Sequence, residues 1–289
     1  MTQHIVNSEN LDQSDVLLIG VGYDVTASGR KGASKGPACI VESLNTQLEF
    51  FDRFTADEPN LLFKIAYKDM GDVNKLSPEK MVETVSNTYS HHLLQGQFIV
   101  LLGGEHSVTI GALTAIAQTG QSSDISIVHI DAHFDLRDSD ADYNDHSPSR
   151  FAHSCVMRRA SELGFSVTSV GVRTGSKEEY AYAKKHITLF EWGKDSIPSH
   201  EEIIASIKTK KVYVTIDVDG IDPSHMPATG TPVQGGLEWN YTVDLIRRIF
   251  SEKEVIGSDI VEVAPMNESA LTEYGAAQLC YLMISAKMH

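Results

Sequence analysis

The sequence predicts an α/β fold built on a doubly wound, mainly parallel sheet. Three observations lead there. Short runs rich in Val and Ile recur along the chain. They are nearly continuously apolar, as strands buried on both faces must be, and stretches with apolar spacing near 3.6 lie between them. The first run, DVLLIGVG (15–22), is followed at a distance by a helical stretch over 77–95, which opens Ser77-Pro78-Glu79-Lys80, a helix-start signal. QFIVLLGG (97–104) leads into a helix over 106–118, and then come ISIVHIDAH (125–133) and SVTSVGVR (166–173). KVYVTIDVD (211–219), a helix over 240–252 and EVIGSDIVEVAP (254–265) complete the alternation.

The 289 residues contain no linker-like stretch, so residues 1–289 read as a single domain, with 1–13 a flexible or peripheral segment. A hydrophobic content of 42% against 22% charged residues is enough for a buried core and argues against disorder. The net charge of −15 speaks against nucleic acid, which calls for clustered Lys and Arg, and suits a small cationic ligand better. Cys39, Cys155 and Cys280 are odd in number and widely spaced, which fits a reducing compartment. The polar N-terminus lacks a signal-peptide layout and no apolar run nears the ~20 residues of a membrane span, so a cytoplasmic protein without membrane contact is expected.

In doubly wound sheets, ligands bind beyond the carboxyl ends of the strands. Four of the six runs end there in polar groups: GGEHS, DAHFD, DVDGID and VEVAP. In the first, the glycines allow a tight turn that brings His106 to the strand end, while Glu105 reads as turn and helix-start chemistry. In the second, extended alternation would put Asp131, His133 and Asp135 on one side of the chain. The third places Asp217 and Asp219 two residues apart. Such crowding of carboxylates is costly without a cation among them. Four carboxylates with two imidazoles match two divalent cations, and the oxygen-rich set suits Mn²⁺ above Zn²⁺, Fe²⁺ or Co²⁺. A metal pair makes water nucleophilic near neutral pH, so the implied reaction class is hydrolysis.

GGEHS, DAHFDLRD, DVDGIDP with PATGTPVQGG, and EVAP, in this order and spacing, resemble the ureohydrolase family of arginases, agmatinases and formimidoylglutamases over roughly residues 14–288. The resemblance implies a three-layer α/β/α fold, two Mn²⁺ per chain, a small cationic guanidino substrate and a homotrimer or homohexamer. By position it implies one metal held by His106, Asp131, Asp135 and Asp217, and another by Asp131, His133, Asp217 and Asp219. It further implies that His153 delivers a proton to the leaving amine and that Glu262 pairs with the guanidinium. The Thr231 hydroxyl would bond to substrate or nucleophile.

Within the family, FAHSCVMRR with GVRTGSKEE is most similar to agmatinases, which implies hydrolysis of agmatine to putrescine and urea. Arginase would need grips for an α-amine and an α-carboxylate, but Ser176 stands at the amine-binding position and Leu136-Arg137-Asp138 where an Asn-bearing loop is expected. Guanidinobutyrate remains an alternative, whereas formimidoylglutamases differ at both GGEHS and TGTP. From other classes, a single-zinc deacetylase of the same fold or a non-catalytic guanidine binder would not need all six ligands. His225, the adjacent pair His91 and His92, the pair Arg158 and Arg159, and Cys155 are assigned no chemistry: they read as loop, helix-surface, packing and buried-thiol residues.

Overall fold

The strand-like runs become the interior of one eight-stranded sheet, in a computed structural model that describes residues 4–46, 63–193 and 197–289. Its strands are β1 (Val16–Val21), β2 (Ile65–Asp69), β3 (Phe98–Gly103), β4 (Ile125–Ile130), β5 (Ser166–Val172), β6 (Thr188–Glu191), β7 (Lys211–Asp217) and β8 (Glu254–Val261). They lie in the order β2-β1-β3-β8-β7-β4-β5-β6, and every pairing is parallel. The helices of the described residues are α1 (Gly36–Thr46), α2 (Pro78–Leu93), α3 (Val108–Ala117), α4 (Val156–Glu162), α5 (Lys177–His186), α6 (His200–Ser206), α7 (Trp239–Glu252) and α8 (Leu271–Met288).

Alternation along each strand divides the apolar side chains between two cores. Val16 and Leu18 of β1, with Val100 and Leu102 of β3, face a core closed by α1, α6, α7 and α8. Leu17, Ile19, Ile99 and Leu101 face one closed by α2, α3, α4 and α5. These are the two outer layers of the α/β/α architecture. Fully buried side chains such as Leu101 contribute roughly 1.5–3 kcal/mol each.

The sheet differs from the sequence expectation at its edges and at its strand ends. The outermost strands, β2 and β6, were not anticipated: β6 has four half-exposed residues, and β2 ends in Lys68 and Asp69. Neither forms an apolar run, because an edge strand has one solvated flank. Beside β2 runs the N-terminal segment, tied down within the described residues: Ile5 is fully buried, and the backbone amides of Asn7 and Ser8 donate to the Ile65 carbonyl at 3.0 and 3.1 Å. At the carboxyl ends the runs expected over 125–133, 211–219 and 254–265 stop at Ile130, Asp217 and Val261. The polar motifs lie in loops just beyond the four central strands, β3, β8, β7 and β4.

Helix α2 starts as its sequence says, with the Ser77 hydroxyl accepting from the Lys80 amide and Pro78 in the first turn. Helix α5 opens with a capping box between Ser176 and Glu179.

A candidate two-metal centre

Two aspartates set the local geometry by the same device. The Asp131 carboxylate accepts from the backbone amide of His133 at 2.6 Å, and the Asp217 carboxylate accepts from that of Asp219 at 2.9 Å. Each bond curls the chain immediately after its strand. The ligand candidates therefore converge through two side-by-side turns, and not through extended alternation as the sequence suggested. Tight approach is allowed by glycine: a Cβ on Gly220 would come within 2.7 Å of the Asp131 amide, and one on Gly104 within 2.0 Å of the Tyr23 carbonyl.

The six sequence-predicted ligands are brought together at this point. The His106 Nδ1 lies 3.2 Å from Asp131, 3.1 Å from Asp135 and 3.5 Å from Asp217. The His133 Nδ1 lies 3.2 Å from Asp219 and 3.5 Å from Asp131. Asp131 belongs to both clusters, and all four aspartates are buried.

Whether a cation fits can be judged from His106. Its Nε2 meets the Thr215 hydroxyl at 2.8 Å. That hydroxyl donates to Asp259 at 2.6 Å, and Asp259 also accepts from Thr109 and Tyr213. The Thr215 proton is thus taken, so the imidazole carries a hydrogen on Nε2 and directs Nδ1 toward three carboxylates, where a cation would take its lone pair. The Nδ1 is buried and makes no hydrogen bond. Separations of 3.1–3.5 Å are what ligands around one cation show, roughly 3 Å for bonds of about 2.1 Å at right angles.

The charges give the same answer. Burial, followed by repulsion from Asp219 and Asp131, pushes the Asp217 carboxyl well above its usual range, and burial with Asp131 raises Asp135. For Asp131 burial acts in the same direction but is outweighed by His129 and the other histidines, which hold it well below. Burial would lower His133, yet Asp219 and Asp131 carry it up to about 12. Without added positive charge these carboxylates cannot all ionise together. The residues fit a pair of divalent cations.

His129 was missed. Its Nε2 lies 2.8 Å from Asp131 and its Nδ1 3.0 Å from Ser169, so it orients the shared carboxylate from behind. Its signal was a histidine inside an otherwise apolar strand. Arg173 was missed too; it reaches the carbonyls of Asp219 and Val233 at 2.6 Å each, clamping the loop that carries Asp219 and Thr231.

Beside the clusters is a cavity of about 110 Å³ lined by Ser28, His133, Tyr143, His153, Asp217 and Thr231. The His153 Nδ1 stands 3.3 Å from Glu262, whose carboxylate also accepts from the His106 amide at 2.9 Å. The Thr231 hydroxyl donates to Asp219 at 3.1 Å. Asp135 (φ 52°) and Glu262 (φ 65°) are the non-glycine residues with positive φ among those described, and both belong to this site. Such strain costs about 1–3 kcal/mol per residue and persists where surrounding bonds impose it.

The residues left without a chemical assignment stay outside the centre. Burial pushes the Cys155 thiol up to about 12, far from a thiolate. His225 pairs with Glu238 at 3.0 Å, and Arg158 and Arg159 pair with Glu162. His91 and His92 do meet Asp12, but the Gln97 amide donates to Leu11 and Ser14, which turns its oxygen to accept the His92 Nδ1 hydrogen at 2.9 Å. That removes the His92 nitrogen facing Asp12 from ligation.

A family model described as the Arginase family matches residues 14–285, and the chain belongs to that family: in class it is a ureohydrolase. More particularly, it is 36% identical to an N(1)-aminopropylagmatine ureohydrolase of Synechocystis, over 93% of this chain and 88% of that protein. An agmatinase of Bacillus subtilis is 33% identical over 91% and 88%. Among solved structures, the agmatine ureohydrolase of Thermoplasma volcanium superposes with a TM-score of 0.87 at 28% identity, covering 99% of this chain and 94% of that one. No helix among the described residues is long and apolar enough to cross a membrane.

Proposed function

We propose that this chain hydrolyses the guanidino C–N bond of agmatine, giving putrescine and urea, with Mn²⁺ as the metal. The observation that carries the reading is Glu262, a strained, buried carboxylate 3.3 Å from His153, which lines the cavity beside the metal clusters; a planar cation entering there would pair with it. His106, Asp131, Asp135 and Asp217 would hold one cation, and Asp131, His133, Asp217 and Asp219 the other. Bound there, the cations supply an acidified water and positive charge at the reacting carbon. Glu262 orients the guanidinium, Thr231 steadies Asp219, and His153 gives its proton to the departing amine.

Two features favour a substrate without amino-acid groups. Ser176, at the amine-binding position of arginase, has its side chain in the capping box of α5. Arg137 on the cavity wall is ion-paired with Asp142 and lies 3.7 Å from Glu179, so its charge is not offered to a carboxylate. A second reading, N(1)-aminopropylagmatine, is favoured by the higher identity to the Synechocystis protein. Urea release by the Mn²⁺-loaded protein, compared among agmatine, N(1)-aminopropylagmatine, arginine and guanidinobutyrate, tests both. Higher kcat/KM for arginine or guanidinobutyrate would overturn the substrate assignment.

The proton donor predicts a pH profile. Burial acts to lower the pKa of His153, but Glu262, Glu105 and Asp135 outweigh it and push it up to about 9. A group with a raised pKa keeps its proton below that value and loses it above, so kcat should fall about tenfold per pH unit beyond about 9. In His153→Asn that alkaline limb should vanish; a limb unchanged in the variant would exclude His153 as its source.

A further inference from the structure

We propose that Thr26 is a positioning residue for His153, linking the turn that carries His106 to the histidine that protonates the leaving amine. The proposal rests on the role given to His153 above. Thr26 lies on the strap between β1 and α1 and is 7% exposed. Its hydroxyl donates to the Glu105 carboxylate and accepts from the His153 backbone amide at 3.1 Å. A hydroxyl has one proton and two lone pairs, so this single oxygen satisfies both partners.

Both partners are fixed on their far sides. Glu105 is fully buried, its carboxylate also accepts from the Ser107 hydroxyl at 2.7 Å, and its amide donates to Tyr23 at 2.7 Å. It directly precedes His106. Two residues beyond Thr26, the Ser28 amide donates to the His153 Nε2 at 3.2 Å, and the Ser28 hydroxyl lies 3.0 Å from the same nitrogen. Once the ring has given up its proton, Nε2 accepts from Ser28 and the neutral ring carries its hydrogen on Nδ1, the atom 3.3 Å from Glu262. His153 is thus held at its backbone by Thr26 and at its ring by Ser28 and Glu262.

The strap does not depend on Thr26 for its shape. Asp24 accepts from the Gly32 amide, the Ser34 amide and hydroxyl, and the Asn74 side chain. Removing the Thr26 hydroxyl therefore leaves the strap folded and releases the backbone amide of His153. A displacement of about 1 Å at such a group lowers turnover on the order of 10²-fold.

The test is a double-mutant cycle on the Mn²⁺-loaded full chain, read as urea release from its best substrate among the compounds named above. Thr26→Val should lower kcat roughly 10- to 100-fold, with KM within about twofold and metal content unchanged. Thr26→Ser, which keeps the hydroxyl, should stay within about threefold of wild type. In a His153→Asn background, Thr26→Val should cost less than about twofold, because its effect passes through the missing imidazole. Wild-type kcat in Thr26→Val, or an equal loss in both backgrounds, would overturn the proposal. Should Thr26→Val fail to fold, Thr26→Ala removes the same hydroxyl without adding bulk and is read identically. Wild-type turnover in His153→Asn would also overturn it, and would show that the role of His153, not the link through Thr26, was at fault.

Discussion

Asp131→Ala is expected to yield a folded protein that holds fewer than two Mn²⁺ per chain and releases no measurable urea. Asp131 is shared, with Asp217, between the two proposed cation sites, and it has His106 and His129 near one oxygen and His133 near the other. Its loss opens both coordination sets at once. A metal pair contributes several kcal/mol of transition-state stabilisation, so turnover should fall at least on the order of 10³-fold. Metal analysis of the purified variant with a urea assay checks both halves. Two retained Mn²⁺ and near-normal turnover would remove Asp131 from the ligand set. A chelator should also lower the melting temperature of the wild-type protein, because it leaves the crowded aspartates without a counter-charge.

Glu262→Gln should separate binding of the guanidinium from binding of the metals. The amide keeps the size of the side chain but removes its charge, and the carboxylate is buried beside the His106 amide and His153. Loss of one partner in a buried ion pair costs about 2–5 kcal/mol, so kcat/KM should drop roughly 30- to 4,000-fold with metal content unchanged. A drop smaller than tenfold would mean that another group receives the substrate cation. The positive φ of Glu262 adds a second reading of the same site. It turns the chain out of the line of β8, and the Glu262 amide donates to the Gly104 carbonyl at 2.7 Å, so the turns after β3 and β8 hold each other.

What the sequence made legible was chemistry at strand ends. Aspartates and histidines following Val- and Ile-rich runs stand out because burial makes them expensive. The β4 run and the β7 run could be read without knowing how their ends bend. The bend itself was hidden, since the bonds from the His133 and Asp219 amides to Asp131 and Asp217 leave the same residue pattern as an extended strand. Helix α8 escaped notice for a different reason: Ala276, Leu279, Cys280, Met283 and Ile284 pack on nearly every side, leaving no polar face to mark a 3.6 period. Thr26 and Arg173 act on partners distant along the chain, so local spacing carried no trace of them.

The position of β8 in the sheet has a consequence for how the chain becomes a protein. Strands β2, β1 and β3 form one half-sheet, β7, β4, β5 and β6 another, and only β8 pairs with both. Yet β8 follows the other seven described strands in the chain, so it leaves the ribosome after them. Until residues 254–261 are available, His106 and the Asp131–Asp217 group lie on separate, unjoined pieces. Closing the gap brings together segments more than a hundred residues apart, the kind of long-range pairing that is slow and exposes unpaired edges meanwhile. A metal can therefore find all its ligands only after the latest-made of the eight described strands has joined the two halves.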